Sequence, residues 1–333
     1  MNKSAFRAFR IREEHGQYRA GIEAMQVGEL SPGEVLVKVA YSSLNYKDAL
    51  AGTGRGRILR RFPLNGGIDV AGHVVTSSDP RFPPGSAVLC TGSGLSETRD
   101  GGLAEYTRLA ADSTIALPAG LSLRESMMLG TAGFTAALAL LRMQDNGQTP
   151  ALGPIAVTGA SGGVGALAIN LFSGAGYTVH AISGKREHFD WLRQLGASEC
   201  IDRQQLGFSG KALDSVRFGG ALDAVGGTML AGLLPLIAPT GNVALCGNAG
   251  GATFSSTVMP FIIRAVSLLG IGSALTARPV RERIWQHLAS DWKPRDLAQI
   301  TRREVTLDQL PGEFARMLDG QSLGRTLVRI GSD

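Results

Sequence analysis

The chain has 333 residues, of which 44% are hydrophobic and 18% are charged, and it contains 45 glycines. This composition excludes an intrinsically disordered chain, because it supplies enough apolar surface for a packed core. A net charge of +5 is modest for this length, so it permits anionic ligands without indicating a nucleic-acid partner.

The three cysteines, Cys90, Cys200 and Cys246, are far apart and odd in number. This spacing gives neither a disulfide framework nor a zinc motif, which favours a reducing compartment. The first sixteen residues carry charges throughout and have no apolar signal core. Residues 146–184 lack Asp, Glu, Lys and Arg, but Pro, Gly, Ser, Thr and Asn interrupt them every few positions. We therefore expect a cytoplasmic protein with a buried core and no membrane span.

Residues 1 to about 120 have the pattern of β-strands. The segment "GEVLVKVAYSSL" alternates around Val and Leu, and "GIDVAGHVV" and "GSAVLC" are short apolar runs bounded by glycine or proline. Turn residues are dense between these runs. The pattern predicts a β-rich barrel or sandwich.

From residue 122 onward, helices and strands alternate. Ser122 and Glu125 have the spacing of a capping box, and the apolar run that follows predicts a helix. The next predicted helix runs from about Gly163 to Ala175, where Gly176 can end it. The apolar strand candidates are "PIAVTG", "YTVHAIS", "ALDAVGG", "GNVALCGNAGG" and "VSLLGIGSAL". This repetition predicts a parallel sheet covered on both faces, and the strand, helix and strand of the tail are expected to rejoin the first domain.

The segment "AVTGASGGVGALAI" has the context of a dinucleotide-binding turn. Gly159, Gly162 and Gly165 directly follow a strand and open a helix. Their spacing differs from the commoner Gly-x-Gly-x-x-Gly, but both patterns allow a tight turn and a close approach of backbone to pyrophosphate. Amides near Gly162, Gly163 and Val164 are expected to point at the phosphates. The alternative is a glycine turn that serves packing alone.

The end of the second strand indicates which dinucleotide binds. A site that prefers NAD places Asp or Glu there, whereas this strand ends in "SGKREH". Ser183 can donate a hydrogen bond, Lys185 and Arg186 bring positive charge, and Arg203 follows the next strand. These groups suit a 2′-phosphate, so NADPH is the expected cofactor. The alternative places Lys185 and Arg186 in a solvated first helical turn, which the helix dipole disfavours.

Several motifs are similar to those of one enzyme family: "SSLNYKDAL", "GIDVAG", "DGGLAEY", "TGASGGVG", "GTAGFTAA", "MPFIIR" and "GRTLV". Together they resemble the acrylyl-CoA reductase subgroup of the medium-chain dehydrogenase/reductase superfamily, whose members are also called quinone oxidoreductases. The resemblance implies an α/β protein with a GroES-like, β-rich domain over residues 1–121, completed by about 300–333. It further implies a Rossmann domain with a doubly wound parallel sheet over 122–299, NADPH as cofactor, and a homodimer. Gly66, His73 and Asn248 depart from the usual residues of the subgroup, which bears on the substrate.

Zinc-dependent members of the superfamily bind the metal through Cys and His in the first domain. Here that half offers Cys90 and His73, and His73 is not followed by the Glu of zinc-dependent members. These residues are too few for three or four zinc ligands, so no metal is expected. Reduction of an activated double bond is then the expected chemistry.

Reduction of a 2-enoyl thioester requires hydride addition at the β-carbon, stabilisation of charge on the thioester oxygen and a proton at the α-carbon. Tyr46, in "SLNYKD", is the candidate catalytic residue, as a donor to the carbonyl or as a proton relay. Its ordinary pKa near 10 makes it a slow acid without tuning, and the alternative is a half-buried loop anchor. Asn45 and Asp48 are candidate orienters or loop caps.

The resemblance and the glycine turn together define an expected cofactor site: Tyr46, Thr131, Gly159, Ser161, Gly162, Gly163, Val164, Ser183, Gly184, Lys185, Arg203, Asn248, Ile262, Ser273 and Arg325. The segment "RGRILRRF" carries the candidate CoA-binding residues, Arg55, Arg57, Arg60 and Arg61, because arginine binds phosphate in a bidentate manner. The alternative for this segment is a solvated basic loop.

Three functions remain open from the sequence. The first is NADPH-dependent reduction of a short 2-enoyl-CoA, with acrylyl-CoA giving propionyl-CoA. The second uses the same hydride chemistry on a quinone or enone. The third is a non-catalytic protein that binds NADPH, or RNA as a crystallin-like relative. An aromatic content of 6% and the lack of a sustained basic face argue against RNA.

Overall fold

The computed structural model describes residues 5–331, so residues 1–4 of the charged N-terminal stretch and residues 332–333 lie outside the described part. The chain forms two compact units. The first unit comprises Met1–Thr131, Ala274–Ala289 and Leu297–Asp333, and the second comprises Ala132–Ser273 and Ser290–Asp296.

The strands within the described residues are β1 (Phe6–Glu14), β2 (Gln17–Met25), β3 (Val35–Ser43), β4 (Leu64–Asn65), β5 (Asp69–Ser77), β6 (Ala87–Thr91), β7 (Tyr106–Leu109), β8 (Ile115–Ala116), β9 (Ile155–Thr158), β10 (Val179–Ser183), β11 (Glu199–Asp202), β12 (Gly220–Asp223), β13 (Asn242–Leu245), β14 (Ser267–Gly270), β15 (Thr301–Val305) and β16 (Arg325–Arg329). The α-helices there are α1 (Tyr46–Thr53), α2 (Leu123–Asp145), α3 (Gly163–Gly174), α4 (Phe189–Gln194), α5 (Gly227–Leu233), α6 (Met259–Arg264), α7 (Arg278–Ala289), α8 (Leu297–Ile300) and α9 (Leu310–Leu318).

The first unit is built on two sheets. The larger has the strand order β15-β16-β3-β5-β6-β8 with β7 also paired to β3, and the smaller has the order β2-β1-β4. Val35, Val37 and Val39 of β3 pack into a buried cluster with residues of β5 and β6, whereas Lys38 between them is exposed. The predicted β-rich first domain is therefore confirmed. The predicted alternation is not seen in β3, because every residue of the strand except Lys38 is buried and Leu36 packs into a different cluster.

The second unit contains a six-stranded sheet in the order β11-β10-β9-β12-β13-β14, with all neighbours parallel. In order of appearance this is 3-2-1-4-5-6, the doubly wound dinucleotide-binding topology. Ile155, Ala156 and Val157 of the central strand β9 are completely buried, as expected for a sheet covered on both faces. The predicted Rossmann domain is confirmed.

Two segments lie in the first unit although the sequence assigns them to the Rossmann domain. Residues 122–131 begin α2, and residues 274–289 contain α7. The side chains of Arg281 and Trp285 in α7 are buried, and Arg281 Nη1 donates to the carbonyl oxygen of Thr91 at 2.9 Å. Burial of these side chains attaches α7 to the first unit.

Helix α2 begins at the predicted capping box. The Ser122 amide donates to Glu125 Oε2 at 2.9 Å, and the Glu125 amide donates to Ser122 Oγ at 3.1 Å. The helix is interrupted at Gly130, where φ is 53° and ψ is −155°, and the sequence does not predict this break. By length and composition α2 could cross a membrane, but 89% of its most apolar window is buried within the protein, as in a core helix.

Candidate nucleotide site and candidate catalytic residues

The glycine turn, residues 159–165, connects β9 to α3. Gly159 has a φ of +58°, and the amide of the N-cap residue Gly162 donates to the Gly159 carbonyl at 2.9 Å. A Cβ on Gly165 would lie 2.5 Å from the Gly159 carbonyl oxygen, so the helix packs directly on the turn. Because the Gly162 amide is used within the turn, the first amides of α3, at Gly163 and Val164, are the ones whose geometry suits a phosphate.

This close packing predicts different results for two glycines of the same helix. Gly165→Ala would push its methyl group into backbone, whereas a Cβ on Gly174 meets nothing within 4 Å. We expect Gly165→Ala to lower the free energy of unfolding by about 2 kcal/mol and to weaken NADPH binding at least tenfold. We expect Gly174→Ala to bind NADPH normally and to gain up to about 1 kcal/mol, as for helical glycines in general. Urea unfolding measures the free energy of unfolding, and fluorescence titration measures the affinity for NADPH. If the two variants had equal stabilities and equal affinities, the close packing of Gly165 on the turn would be contradicted.

The predicted adenosine-side residues come together at the ends of β10 and β11. Ser183 Oγ donates to Ser161 Oγ at 3.1 Å, which connects the end of β10 to the glycine turn. The Lys185 amide donates to Ser183 Oγ at 3.1 Å. A Cβ on Gly184 would lie 2.7 Å from Arg203 Nε and 3.1 Å from its Cζ. The guanidinium of Arg203 therefore lies directly against the backbone of Gly184.

Asp202, an acidic residue at this edge of the sheet, was not among the site residues predicted from the sequence. Asp202 is the register partner of Ser183 on the neighbouring strand. Its side chain is buried, accepts a hydrogen bond from the Gln204 amide at 2.9 Å, and lies 3.5 Å from Arg186 Nε. The negative charge of Asp202 is thus offset by Arg186, which leaves the predicted preference for a phosphorylated ribose intact.

A second buried acid, Asp223, shapes the loop beside the glycine turn. Thr158 Oγ1 donates to Asp223 Oδ1 at 2.5 Å, and the Gly226 amide donates to Asp223 Oδ2 at 2.7 Å. Burial raises the pKa of Asp223. A Cβ on Gly226 would lie 3.3 Å from the Cα of Asn248, so the structure brings Asn248 to the same edge of the sheet.

The remaining predicted residues of this unit lie farther along the sheet. Ile262 is on α6 with 68% of its surface exposed, and Ser273 follows β14. Strand β14 is three positions from β9 in the sheet. Nothing in the structure tests the role of Ile262 or Ser273 at a coenzyme, and this part stays a prediction from resemblance.

The turn fits a dinucleotide by its shape and its polar groups. Four positions of the turn are glycines, and the start of α3 offers backbone amides. Ser183 and the guanidinium of Arg203 lie at the end of β10, the second strand of this unit. These groups would hold the pyrophosphate and the adenosine end of a nicotinamide dinucleotide.

A buried polar cluster centred on Asp69 occupies the first unit. The Asp69 carboxylate accepts from Ser43 Oγ at 2.6 Å, Asn45 Nδ2 at 2.8 Å, and the amide and Oγ1 of Thr131 at 3.0 and 2.5 Å. The side chain of Asp69 is completely buried. Thr131, a predicted cofactor residue, therefore directs both donors to this carboxylate.

Arg325 is the cation of the Asp69 cluster. It is 3% exposed, donates to the Leu44 carbonyl at 2.8 Å and to Ser43 Oγ at 2.6 Å, and lies 3.7 Å from Asp69 Oδ2. Burial lowers the pKa of Arg325, and the charges of Asp69 and Asp48 act in the opposite direction. The observed partners of Arg325 thus make it the internal counter-ion of Asp69.

Asp48 is a second buried carboxylate beside this cluster. Its oxygens accept from the Asn45 amide at 2.9 Å, Asn45 Nδ2 at 3.2 Å and the Ile68 amide at 2.9 Å. Asn45 and Asp48 form a capping box at the start of α1, which confirms them as loop caps. Burial, and secondarily the charge of Asp69, raises the pKa of Asp48 to about 7.

The raised pKa of Asp48 predicts a pH-dependent stability. The folded protein retains a proton that an unfolded Asp48 releases near its ordinary pKa of 3.8. The resulting stabilisation is fully present below pH 3.8 and is lost as the pH rises through about 7.

We expect wild type to lose on the order of 2 kcal/mol more than Asp48→Asn between pH 5 and pH 8. Asp48→Asn also places an amide group against hydrogen-bond donors and should be less stable than wild type at both pH values. The quantity to compare is therefore the change in the free energy of unfolding between pH 5 and pH 8, which urea unfolding measures for each protein. An equal change of the free energy of unfolding in the two proteins would show that Asp48 is ionised across this range.

Tyr46 is the first residue of α1 and is 44% exposed. The loop before it is held by Asn45 and Asp48, not by the tyrosine ring. More than half of the Tyr46 surface is covered, so its interpretation as a half-buried loop anchor and its role as a hydrogen-bond donor both stay predictions.

The arginine-rich segment, residues 54–62, has a fixed backbone. It begins at Gly54, where φ is +69° and where a Cβ would lie 2.9 Å from the ring of Tyr18. Leu59 is buried in the core of the first unit, and the Arg60 amide donates to the Glu97 carbonyl at 2.8 Å. The backbone of the segment is therefore packed, and its role as a phosphate site or as a solvated basic loop stays a prediction.

The four arginines of this segment differ in their contacts. All four, Arg61 included, are exposed residues. Arg61 Nη2 donates to Ser31 Oγ at 2.7 Å, so it also ties the segment to a neighbouring loop. Arg55, Arg57 and Arg60 are thus better placed for a phosphate than Arg61.

Within residues 5–331 there is no group of three or more His, Cys, Asp or Glu side chains that could hold a metal ion. The three cysteines are free thiols, and burial raises the pKa of Cys90.

Comparison with known proteins identifies the family. Residues 31–119 match the alcohol dehydrogenase GroES-like domain, and residues 163–290 match the zinc-binding dehydrogenase domain. The chain is 45% identical to "Putative quinone oxidoreductase YhfP" of Bacillus subtilis, over 98% of this chain and 99% of that protein. It is 41% identical to acrylyl-CoA reductase AcuI of Ruegeria pomeroyi, over 96% of this chain and 97% of that protein.

Solved structures agree with this assignment. The YhdH oxidoreductase of Salmonella enterica, in complex with NADP, has a TM-score of 0.94 and 43% identity, covering 98% of this chain and all of that one. The YhfP protein of Bacillus subtilis, with NAD bound, has a TM-score of 0.94 and 44% identity, covering 98% and 99%. The chain belongs to the medium-chain dehydrogenase/reductase superfamily of oxidoreductases, in its subgroup of acrylyl-CoA reductases and quinone oxidoreductases.

Proposed function

We propose that this protein is an NADPH-dependent reductase of the activated double bond of a short 2-enoyl-CoA, with acrylyl-CoA reduced to propionyl-CoA as the leading reaction. The observation that supports this most is the similarity to an acrylyl-CoA reductase over nearly the whole of both chains. The arginine-rich segment, which has a packed backbone and four exposed arginines, supports a substrate that carries phosphates.

The coenzyme would be held by the second unit. The amides of Gly163 and Val164 would bind the pyrophosphate, and Ser183 and Arg203 would bind the 2′-phosphate. NADPH supplies a hydride when bound. The YhdH relative is a complex with NADP, whereas the YhfP relative is a complex with NAD, so coenzyme choice is the first property to measure.

The protein's own contribution to the chemistry is positioning and charge stabilisation. We propose that the exposed phenol of Tyr46 donates a hydrogen bond to the thioester carbonyl, where negative charge develops during reduction. Asn45 and Asp48 fix the start of α1 and thereby the backbone position of Tyr46. No metal is required for this stabilisation, because hydrogen-bond donors can supply it.

The second candidate is reduction of a quinone or an enone with the same coenzyme. The similarity to YhfP, which carries a quinone oxidoreductase name, supports this candidate. A free quinone has no phosphate handle, so its reduction should not depend on the arginine-rich segment.

Oxidation of NADPH with acrylyl-CoA, crotonyl-CoA and a small quinone, measured side by side, tests these candidates. The proposal expects acrylyl-CoA to have the highest kcat/KM. Turnover of the quinone alone would overturn it in favour of the second candidate. Tight NADPH binding without turnover of any of the three would favour a binding protein.

We also propose a cytoplasmic homodimer. Strand β14 is at the edge of the second unit's sheet, and the neighbouring helix α6 exposes Ile262 and Ile263 by 68% and 61%. An exposed strand edge beside apolar side chains is suited to pairing with a second copy. Sedimentation at micromolar concentration should give the mass of a dimer, and a monomer there would contradict this proposal.

A further inference from the structure

We propose that Lys47 and Arg60, held together by Glu97, form a phosphate-binding site for the CoA portion of the substrate. This inference rests on the proposed function, because the 2-enoyl-CoA supplies the phosphate. It adds Lys47 to the expected substrate residues and assigns Glu97 the role of an internal counter-ion that the phosphate displaces.

Glu97 contacts the side chain of Lys47 and the backbone of Arg60 through different atoms. Its carboxylate forms an ion pair with Lys47 Nζ, and its backbone carbonyl accepts from the Arg60 amide at 2.8 Å. The side chains of Lys47 and Glu97 are 33% and 19% exposed, so the pair is partly removed from water and still reachable. The Glu97 carboxylate is therefore paired with Lys47, and the Glu97 backbone joins this pair to the segment that carries Arg60.

Lys47 and Arg60 lie on segments that Glu97 joins, so their positive charges are near each other. The pKa of Lys47 is lowered, first by burial and also by the positive charge of Arg60, while buried Asp48 acts in the opposite direction. A phosphate dianion that contacts both side chains would gain two charge-assisted interactions. Arg60 has an exposed side chain, and exposed Arg55 and Arg57 add to the positive charge of the same segment.

The loop that carries Glu97 is rigid and conformationally strained. Ser93 and Ser96 have left-handed φ values of 53° and 57°, which are uncommon for residues other than glycine. The amides of Glu97, Thr98 and Arg99 all donate to the Gly94 carbonyl at 2.9 to 3.2 Å. These hydrogen bonds hold the backbone of Glu97, so only its side chain would have to move when a phosphate binds.

Calorimetric titration of the full-length protein with CoA, in the presence of NADP+, tests the site. Lys47→Met and Arg60→Gln should each weaken CoA binding about tenfold, since each removes a charge-assisted contact. Glu97→Gln should tighten it about threefold, because the competing carboxylate is lost. Lys38→Met, which removes an exposed lysine of β3, is the matched control and should bind CoA as wild type does.

The direction of the Glu97→Gln effect separates this site from a structural role. A purely structural ion pair would make Glu97→Gln bind CoA no more tightly than wild type, and that result overturns the inference. Equal affinities of Lys47→Met, Arg60→Gln and wild type would also overturn it while leaving the proposed function in place. Failure of wild type to bind CoA or to reduce any 2-enoyl-CoA would instead remove the proposed function itself. Thermal melting of each variant shows that the comparison is made on folded protein.

Discussion

Replacement of Gly130 by alanine is expected to lower the free energy of unfolding by about 4 kcal/mol or more, which is enough to unfold much of the protein at 37 °C. Gly130 has a φ of +53° and a ψ of −155°, a combination that other residues adopt only with strain. A Cβ there would lie 2.5 Å from Asp69 Oδ2 and 2.7 Å from Arg325 Nη2, and it would also collide with Ser43 Oγ. The methyl group would therefore separate a buried carboxylate from its donors and its counter-ion.

Gly147→Ala is the matched control for this prediction. Gly147 also has a left-handed φ, of +78°, but a Cβ there meets nothing within 4 Å. Its substitution should cost only about 1 kcal/mol, the price of backbone strain alone. Urea unfolding of both variants at pH 7 separates strain from disruption of the Asp69 cluster. If the two variants unfold at the same urea concentration, the cluster contributes little to stability.

Replacement of Arg203 by alanine is expected to reduce kcat/KM for NADPH by 10- to 100-fold and to leave kcat/KM for NADH within about twofold. The guanidinium of Arg203 lies against the backbone of Gly184, at the end of the strand that selects the coenzyme. A 2′-phosphate at this corner would gain a charge-assisted contact that a ribose hydroxyl cannot match. Steady-state kinetics with each coenzyme and one fixed substrate measure the ratio.

Lys293→Ala offers a matched control, since Lys293 lies in the same unit on the segment Ser290–Asp296, outside the glycine turn and the coenzyme-selecting strand. Its coenzyme ratio should equal that of wild type. An equal loss for NADPH and NADH in Arg203→Ala would show that Arg203 supports the loop rather than the phosphate.

Local patterns in the sequence were sufficient to predict much of the fold. The capping box at Ser122 and the glycine turn after β9 each depend on residues that are close in sequence. The doubly wound parallel sheet followed from the family resemblance and the repeated strand-helix pattern. Structure that depends on residues close together in the chain can therefore be predicted from a single sequence.

The features that were missed depend on partners far away in the chain. The break in α2 at Gly130 lies in an uninterrupted apolar helical pattern, and its cause is a carboxylate sixty-one positions earlier, at Asp69. Asp202 faces Ser183 only because β10 and β11 pair in that register. Glu97 reaches Lys47 across fifty positions. Such pairings leave no pattern among neighbouring residues of the sequence, so they became visible only in the structure.

The candidate site was predicted unevenly for the same reason. The glycine turn and the absence of an acid at Ser183 could be read from adjacent residues. The roles of Thr131 and Arg325 came from resemblance, and the structure shows both engaged with Asp69. Tyr46 was identified from its motif, but its exposure depends on how α1 packs.

The most direct measurement is the fate of deuterium when acrylyl-CoA is incubated with the protein and each of the two C4-deuterated stereoisomers of NADPH. We expect one stereoisomer to give propionyl-CoA with a single deuterium at C3, as detected by mass spectrometry and NMR, and the other to give unlabelled propionyl-CoA. Absence of propionyl-CoA from both incubations, while the same preparation oxidises NADPH with a quinone, would contradict the assignment as a 2-enoyl-CoA reductase.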